Sequence, residues 1–204
     1  MFYRLSPSLV LRSRFQPYLP RAGERVLVLR TASAFPPAHP TTRMCLDLLA
    51  EALAAKLPPR LVDVGCGSGV LMLAAAALGV GFCVGVDVSP PAARLTRDNA
   101  RDNSLAGVAV AIGSTECLRG AFPLLLANLP VAAQLLKVAE LTRLAAPAAG
   151  LIASVFKDTQ EEEVWRLYRE AGWELASRRT REDWLAPCPP EVSATWVAGW
   201  LRRR

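Results

Sequence analysis

Residues 61–87 read LVDVGCGSGVLMLAAAALGVGFCVGVD and place a glycine-rich turn between a short apolar run and an alanine-rich segment. The apolar run 61–64 predicts a strand, 70–78 predicts a helix, and 82–86 predicts a second buried strand. Asp87 follows that strand, 22 residues beyond the first glycine of the turn. A carboxylate at this position can accept both hydroxyl groups of a ribose, and glycines allow the backbone to approach a ligand closely. The stretch therefore predicts a binding site for an adenosine cofactor.

The spacing of the glycines separates two classes of adenosine cofactor. A dinucleotide fingerprint has the pattern G-x-G-x-x-G and sets a pyrophosphate on the amino end of the helix. This turn has Gly65, Gly67 and Gly69, and Val70 stands where the dinucleotide pattern requires its last glycine. The missing glycine disfavours pyrophosphate binding. Two other interpretations stay open: a glycine turn that only packs the strand on the helix, and an enzyme that uses NAD.

Residues 62–69, VDVGCGSG, resemble the first motif of the class I S-adenosylmethionine (SAM) methyltransferases. Asp87 matches the acid with which members of that family bind the ribose. The resemblance therefore implies that SAM is the cofactor of this chain.

Strands and helices alternate on both sides of this motif. Thr41 or Thr42 is predicted to cap a helix that ends before Pro58, and Ser89 to cap the next helix. The other predicted strands are 25–29, 108–112, 122–127, 151–156, 173–179 and 195–201, and the later helices are 131–146 and 160–171. The last two strands have no helix between them, so they should pair antiparallel. We therefore predict an α/β, Rossmann-like, seven-stranded class I methyltransferase sheet, mostly parallel with a carboxyl-terminal antiparallel hairpin.

Length and composition indicate a globular intracellular protein. The 204 residues suffice for one domain, or for one domain with a short extension. The five cysteines lack CxxC spacing, so we interpret them as small hydrophobic residues in a reducing cytoplasm and assign no metal site. Arg12 and Arg14 interrupt the first apolar stretch, and no later stretch reaches about 18 uncharged apolar residues. We therefore expect no signal peptide, no membrane span and a cytoplasmic location.

The net charge of +6 is concentrated at the two ends of the chain. Residues 1–30 contain six arginines and one glutamate, which gives a local charge of +5, and residues 202–204 add +3. Clustered arginine suits a polyanion such as RNA or a ribosomal particle, because guanidinium pairs bidentately with phosphate. The alternative is that both ends are solvated segments that only aid solubility.

A narrower resemblance involves residues 35–43, FPPAHPTTR, and the ANL tripeptide at 127–129. Both resemble the family that methylates protein eleven of the large ribosomal subunit (PrmA), over roughly residues 15–201. The family has F-G-T-G-x-H-x-T-T ahead of a helix, whereas this segment is one residue shorter and has prolines in place of glycines, which predicts a stiffer loop. The family also has an amino-terminal recognition domain, which we do not expect here. We divide the chain into a basic amino-terminal extension, 1–34, and a SAM-dependent methyltransferase domain, 35–204.

The two resemblances imply a set of cofactor-binding residues and one catalytic residue. The cofactor-binding residues are Thr41, Thr42, Asp63, Gly65, Cys66, Gly67, Asp87, Val88 and Asn128. Asn128 is also the candidate catalytic residue, because it follows an apolar run and emerges at the carboxyl edge of the sheet, where its amide oxygen can accept from a substrate amine. The alternative is an asparagine that starts a turn before Pro130. His39, the only histidine, is interpreted as a loop residue, and we assign it no catalysis.

These inferences predict a SAM-dependent methyltransferase that N-methylates a protein side-chain amine on a ribosomal or other translation-related substrate. The turn after Asn128 lacks the aromatic residue that follows N-P-P in many enzymes acting on glutamine or nucleobases, which disfavours a planar acceptor. Two alternatives remain. One is an RNA methyltransferase whose terminal arginines contact phosphate, and the other is a non-catalytic SAM-binding partner subunit.

Overall fold

The computed structural model describes residues 2–30, 38–183 and 193–204. The helices within these residues are α1 (Pro40–Ala55), α2 (Val70–Ala77), α3 (Pro90–Asp102), α4 (Val131–Leu144) and α5 (Asp158–Glu170), and a 3₁₀ turn spans Thr115–Cys117. The strands are β1 (Phe2–Ser6), β2 (Leu9–Ser13), β3 (Arg25–Leu29), β4 (Arg60–Val64), β5 (Phe82–Asp87), β6 (Val108–Ile112), β7 (Phe122–Asn128), β8 (Ala145–Lys157), β9 (Trp173–Glu182) and β10 (Thr195–Arg203).

A seven-stranded sheet in the order β6-β5-β4-β7-β8-β10-β9 forms the centre of the molecule. Strands β4 to β8 pair in parallel, and β10 pairs antiparallel with both β8 and β9. One hydrophobic cluster joins the sheet to α1, α2 and α3, and a second joins it to α4 and α5. The predicted Rossmann-like sheet with its carboxyl-terminal antiparallel hairpin is confirmed.

Several predicted boundaries were wrong, strands β1 and β2 were not predicted, and the errors at α1 and α4 each have a local cause. Helix α1 begins at Pro40 and is capped by His39, whose Nδ1 accepts from the backbone N–H of Thr41, so neither Thr41 nor Thr42 is the cap. Pro40 suits the first helical position because its missing N–H would have no helical partner there. Helix α4 ends at Leu144, two residues early, because Pro147 disfavours helical geometry in the residue before it.

The basic amino-terminal residues form a separate three-stranded sheet in the order β1-β2-β3. Its apolar side chains Leu9, Leu11, Leu27 and Leu29 are buried in the same cluster as α1 and α2. The amino-terminal sheet is therefore packed on helices α1, α2 and α3 of the methyltransferase-like fold rather than projecting from it. The predicted boundary after residue 34 lies outside the described residues and stays a prediction.

The cysteines and the lengths of the helices bear on the cellular compartment of the protein. Cys45, Cys66 and Cys83 are buried free thiols and Cys117 is an exposed free thiol, while Cys188 lies outside the described residues. Across the described ranges, none of the helices combines the length and apolar character needed to cross a bilayer. The expected cytoplasmic location stays a prediction.

Candidate active site

The glycine turn between β4 and α2 has the backbone geometry that its sequence predicts. Gly65, Gly67 and Gly69 have φ angles of +70°, +59° and +80°, a region that glycine occupies without steric cost. The backbone N–H of Gly65 donates to the carbonyl of Val86 at 2.8 Å, which joins the turn to the end of β5. A Cβ on Gly65 would lie 2.3 Å from Cδ2 of Leu129, whereas a Cβ on Gly67 would point into open space. Gly67 therefore exposes backbone to which a ligand has access.

The carboxylate of Asp87 closes this turn from the neighbouring strand. Its Oδ2 accepts from the backbone N–H of Gly67 at 2.9 Å, and its Oδ1 accepts from the backbone N–H of Ser89 at 2.9 Å. An ionised carboxylate offers about four acceptor positions, so about two remain for other donors. The side chain is half-buried at the carboxyl edge of the sheet. Asp87 can therefore accept from ribose hydroxyls without giving up its contacts to the turn.

Helix α3 supports the glycine turn through two polar side chains that the sequence analysis missed. Thr96 Oγ1 donates to the carbonyl of Gly67 at 2.9 Å, and Asn99 Nδ2 donates to the carbonyl of Ser68 at 2.8 Å. Both side chains are completely buried. Buried polar groups of this kind need hydrogen-bond partners, and here the partners are carbonyls of the turn.

The same face of α3 also binds the amino-terminal sheet. Asn99 accepts from the backbone N–H of Arg30 and donates to its carbonyl, both at 2.9 Å, and Asn103 makes the same pair of bonds with Val28 at 2.7 Å. The two amides thus pair with the edge of β3 much as another strand would. Their spacing of four residues on one helix face was the sequence signal that could have identified them.

Most of the predicted site residues line one small cleft of about 40 Å³ beside the glycine turn. The cleft is lined by Thr42, Asp63, Gly65, Cys66, Gly67, Ser68, Val70, Leu71 and Asn128. Thr41, Asp87 and Val88 are outside this lining. Thr41 is completely buried and its hydroxyl lies 2.9 Å from Nδ1 of His39, while Val88 is 73% exposed beside Asp87. Val88 is thus placed to contact a larger ligand that extends out of the cleft past Asp87.

Asp63 supplies a buried carboxyl group at the base of the cleft. It is 2% exposed, and its Oδ2 accepts from the backbone N–H of Met72 at 3.3 Å. Burial raises the pKa of Asp63 to about 7; the Met72 hydrogen bond opposes this rise and the negative charge of Asp87 adds to it. A cationic group beside Asp63 would restore its ionised form.

Asn128 ends β7 and faces α1 across the cleft. Its Nδ2 donates to Oγ1 of Thr42 at 3.4 Å, and its Oδ1 accepts from the thiol of Cys45 at 3.7 Å. An asparagine that starts a turn typically accepts from the backbone N–H two residues later, but that residue is Pro130, which has no N–H. The turn-forming interpretation therefore lacks its usual donor.

His39 organises the entry to α1 rather than the cleft itself. Its ring lies edge-on to Trp196 at 4.9 Å, and the ammonium of Lys157 lies 3.7 Å from the centre of the same indole ring. Burial lowers the pKa of His39, the positive charge of Lys157 lowers it further, and Asp183 raises it. A neutral imidazole can accept from the Thr41 N–H, so His39 fixes the turn of helix that carries Thr42. The first part of the predicted loop, residues 35–37, lies outside the described residues.

The described ranges contain no group of three or more His, Cys, Asp or Glu side chains that could hold a metal ion. The polar groups that converge on the cleft are instead carboxyl, amide and hydroxyl groups and the exposed backbone of the turn. This set of groups suits an organic ligand with hydroxyl and cationic groups.

A sequence profile described as Ribosomal protein L11 methyltransferase (PrmA) matches residues 3–188. The chain belongs to the PrmA family. It is 41% identical over 158 residues to the ribosomal protein L11 methyltransferase of Citrifermentans bemidjiense, which covers 74% of this chain and 51% of that protein. The corresponding protein of Syntrophotalea carbinolica is 34% identical over 188 residues, 91% of this chain and 61% of that protein. This PrmA-family chain thus spans about half to three fifths of the length of these curated relatives.

The fold is also that of a solved structure from the same family. The crystal structure of ribosomal protein L11 methylase from Lactobacillus delbrueckii subsp. bulgaricus superposes with a TM-score of 0.83 at 22% identity, covering 100% of this chain and 98% of that chain. At this identity the likeness concerns the fold.

Proposed function

We propose that this chain is a SAM-dependent methyltransferase that N-methylates a side-chain amine of a ribosomal protein. The observation that carries the proposal is the convergence of Asp63, the glycine turn and Asn128 on one cleft, with Asp87 beside it. Membership of the PrmA family supports a protein acceptor.

The residues present fit SAM. When bound, this cofactor supplies an electrophilic methyl group on a sulfonium, together with a ribose and a cationic amine. Asp87 has acceptor positions for the ribose hydroxyls, and the open space at Gly67 allows the backbone to approach the ligand. Asp63 offers a carboxylate to a cationic group, and the exposed side chain of Val88 offers apolar contact to a base.

Asn128 is the group that meets the acceptor. A lysine acceptor must lose a proton before it can act as a nucleophile, which costs about 4.6 kcal/mol at pH 7 from a pKa of ~10.4. The apolar side chain of Leu129, the residue after Asn128, lowers that cost because it disfavours the charged form of the amine. The amide oxygen of Asn128 can accept an N–H of the neutral amine and thereby direct its lone pair towards the cofactor, so positioning supplies much of the rate.

Calorimetric titration and a methyl-transfer assay test this proposal. SAM is expected to bind and NAD is not, and Asp87→Ala should weaken SAM binding by about 1.5–3 kcal/mol because charge-assisted hydrogen bonds are lost. Asp98→Ala is the matched control, since that aspartate lies on α3 in an exposed pair with Arg101. Tighter binding of NAD than of SAM, or no transfer of labelled methyl groups to ribosomal protein, would overturn the proposal.

RNA contact through the terminal arginines is a second, subordinate proposal. Arg14 and Arg21 lie exposed in the loop between β2 and β3, and there they can contact phosphate. Arg4 and Arg30 form ion pairs with Glu24 and Asp102, so part of the terminal charge is neutralised within the chain. For these reasons we favour the protein acceptor.

The salt dependence of ribosome binding tests that RNA contact. Replacing both exposed arginines with alanine should lower the slope of log affinity against log salt by about one per lost phosphate contact. Arg166→Ala, in an exposed pair with Glu170 on α5, is the control. An unchanged slope would exclude RNA contact by this loop, and labelled methyl groups on ribosomal RNA instead of protein would favour the RNA methyltransferase.

A further inference from the structure

A completely buried glutamine, Gln134, joins the end of β7 to the neighbouring strand β8 beside Asn128. Its Nε2 donates to the carbonyl of Ala127, the residue before Asn128, and to the carbonyl of Ser154 at 3.1 Å. Ser154 is also the residue that pairs with Asn128 in the parallel ladder between β7 and β8. The backbone N–H of Gln134 donates to the carbonyl of Pro130, which is the first hydrogen bond of helix α4, so the side chain that reaches these strands is fixed on the first turn of the helix.

Gln134 is itself held by a second buried side chain, Tyr168 on α5. The hydroxyl of Tyr168 donates to Oε1 of Gln134 at 2.6 Å, and both residues are 0% exposed. Because burial forbids replacement by water, loss of any member of this chain of bonds leaves a buried polar group without a partner. The Tyr168 bond also fixes which end of the amide faces the two carbonyls. These hydrogen bonds therefore allow a single orientation of the Gln134 amide.

Strand β8 needs such support because its ladder is irregular at this point. Ser154 pairs with Ala198 and Phe156 pairs with Val197, so Val155 is an extra residue in β8. Val155 has a φ of +78°, which is strained for a β-branched residue. The ladder bonds that normally fix a strand are thus interrupted immediately after the residue that pairs with Asn128, and Gln134 binds at that position.

We infer that Gln134, oriented by Tyr168, is the residue that positions Asn128 for methyl transfer. The inference rests on the proposed function of Asn128. Gln134 is absent from the lining of the cleft, so it acts through the strand ends and not on a ligand. A displacement of about 1 Å at a reacting group can cost roughly 100-fold in rate, so loosening these strand ends should lower turnover without altering SAM binding.

Kinetic comparison of two variants tests this positioning role. Gln134→Met removes the amide at similar volume, and Tyr168→Phe, the milder change, removes only the hydroxyl. Thr142→Val on α4 is the control, because it removes the acceptor of the Trp173 indole N–H at 2.9 Å on the same helix, away from the cleft. We expect kcat to fall about 10- to 100-fold in the first two variants and to stay unchanged in the control, with SAM affinity within about twofold throughout. Unchanged kcat in Gln134→Met and Tyr168→Phe would overturn the inference, and so would parallel losses of kcat and SAM affinity.

Hydrogen–deuterium exchange separates this inference from the proposed function. Exchange of the amides in residues 124–130 should increase in Gln134→Met, increase less in Tyr168→Phe, and remain unchanged in Thr142→Val. If the unaltered protein transfers no methyl group, the proposed function fails while the exchange result still decides whether Gln134 fixes the strand ends. Unchanged exchange in Gln134→Met would overturn the inference whatever the activity.

Discussion

SAM binding is expected to weaken as the pH falls through the pKa of Asp63. This side chain is 2% exposed, and burial raises its pKa to about 7. SAM carries a sulfonium and an ammonium group, which favour the carboxylate form of Asp63 over the protonated form. If only the carboxylate form binds, the affinity falls about 25-fold between pH 7.5 and pH 5.5, because each pH unit well below a pKa lowers the ionised fraction about tenfold.

Isothermal titration calorimetry at the two pH values measures this effect, with Asp63→Asn as the matched variant. The variant keeps the shape of the side chain and cannot ionise, so it should bind SAM weakly and nearly independently of pH. Titrations in buffers of different ionisation enthalpy should show release of about one proton by the unaltered protein near pH 6. The reasoning is refuted if both proteins show the same pH dependence, or if the unaltered protein shows none.

The same pKa predicts the opposite trend for the stability of the ligand-free protein. The folded pKa of Asp63 lies above its ordinary value of 3.8, so the folded state binds more protons between the two values. The contribution of Asp63 is therefore fully present below about pH 4 and is lost as the pH rises through about 7, with a slope of at most about 1.4 kcal/mol per pH unit. Urea denaturation of the unaltered protein and of Asp63→Asn at several pH values isolates this slope as a difference.

Substitutions at four further residues separate binding, catalysis and stability. Gly65→Ala and Gly67→Ala both place a side chain at a positive φ, but Gly65→Ala should lower the melting temperature more because its Cβ would also clash with Leu129. Gly67→Ala should in addition weaken SAM binding, because its Cβ would occupy space beside the backbone that the ligand approaches, and thermal unfolding with and without SAM measures both effects. Asn128→Ala should lower kcat far more than SAM affinity in steady-state kinetics, and equal losses would place this side chain in the cofactor site instead. His39→Ala should cost about 1 kcal/mol in chemical denaturation and His39→Asn less, because asparagine can also cap α1, and a loss of kcat in His39→Asn would reveal a role in proton transfer.

The sequence was sufficient for the seven-stranded sheet and for the glycine turn, because local patterns indicate their strands, helices and turn residues, but it did not predict β1, β2 and the amino-terminal sheet that they form. Glycines at 65, 67 and 69 permit the positive φ angles of the turn. The apolar runs on either side define the strands, whose carboxyl ends meet at one edge of the sheet. The start of β8 at Ala145 was not predicted, because the alanine-rich residues from Ala145 onward resemble a continuation of α4 in composition. Pro147, which disfavours helical geometry in the residue before it, is the sequence signal against that continuation.

The supporting side chains could not be predicted in the same way, because their partners are distant in sequence. Asn99 contacts Arg30, 69 residues away, and Gln134 contacts backbone carbonyls of two different strands. A polar residue on the buried face of a helix indicates that a hydrogen bond exists, but the spacing does not identify which carbonyl accepts it. The identity of the partner depends on the packing of helix on sheet, which becomes known only with the structure.

Asn128 has a position that the sequence predicts and a distant partner that only the structure identifies. Its position at the end of an apolar strand places it at the ligand edge of the sheet, and its bond to Thr42, 86 residues earlier, joins that edge to α1. His39 caps the same turn of α1, and Gln134 binds the carbonyl of Ala127, the residue before Asn128. Because α1, β7 and α4 each restrain this one amide, a change in any of them should affect methyl transfer through Asn128. We therefore expect the proposed methyl transfer to depend on residues that lie outside the cleft, such as Gln134.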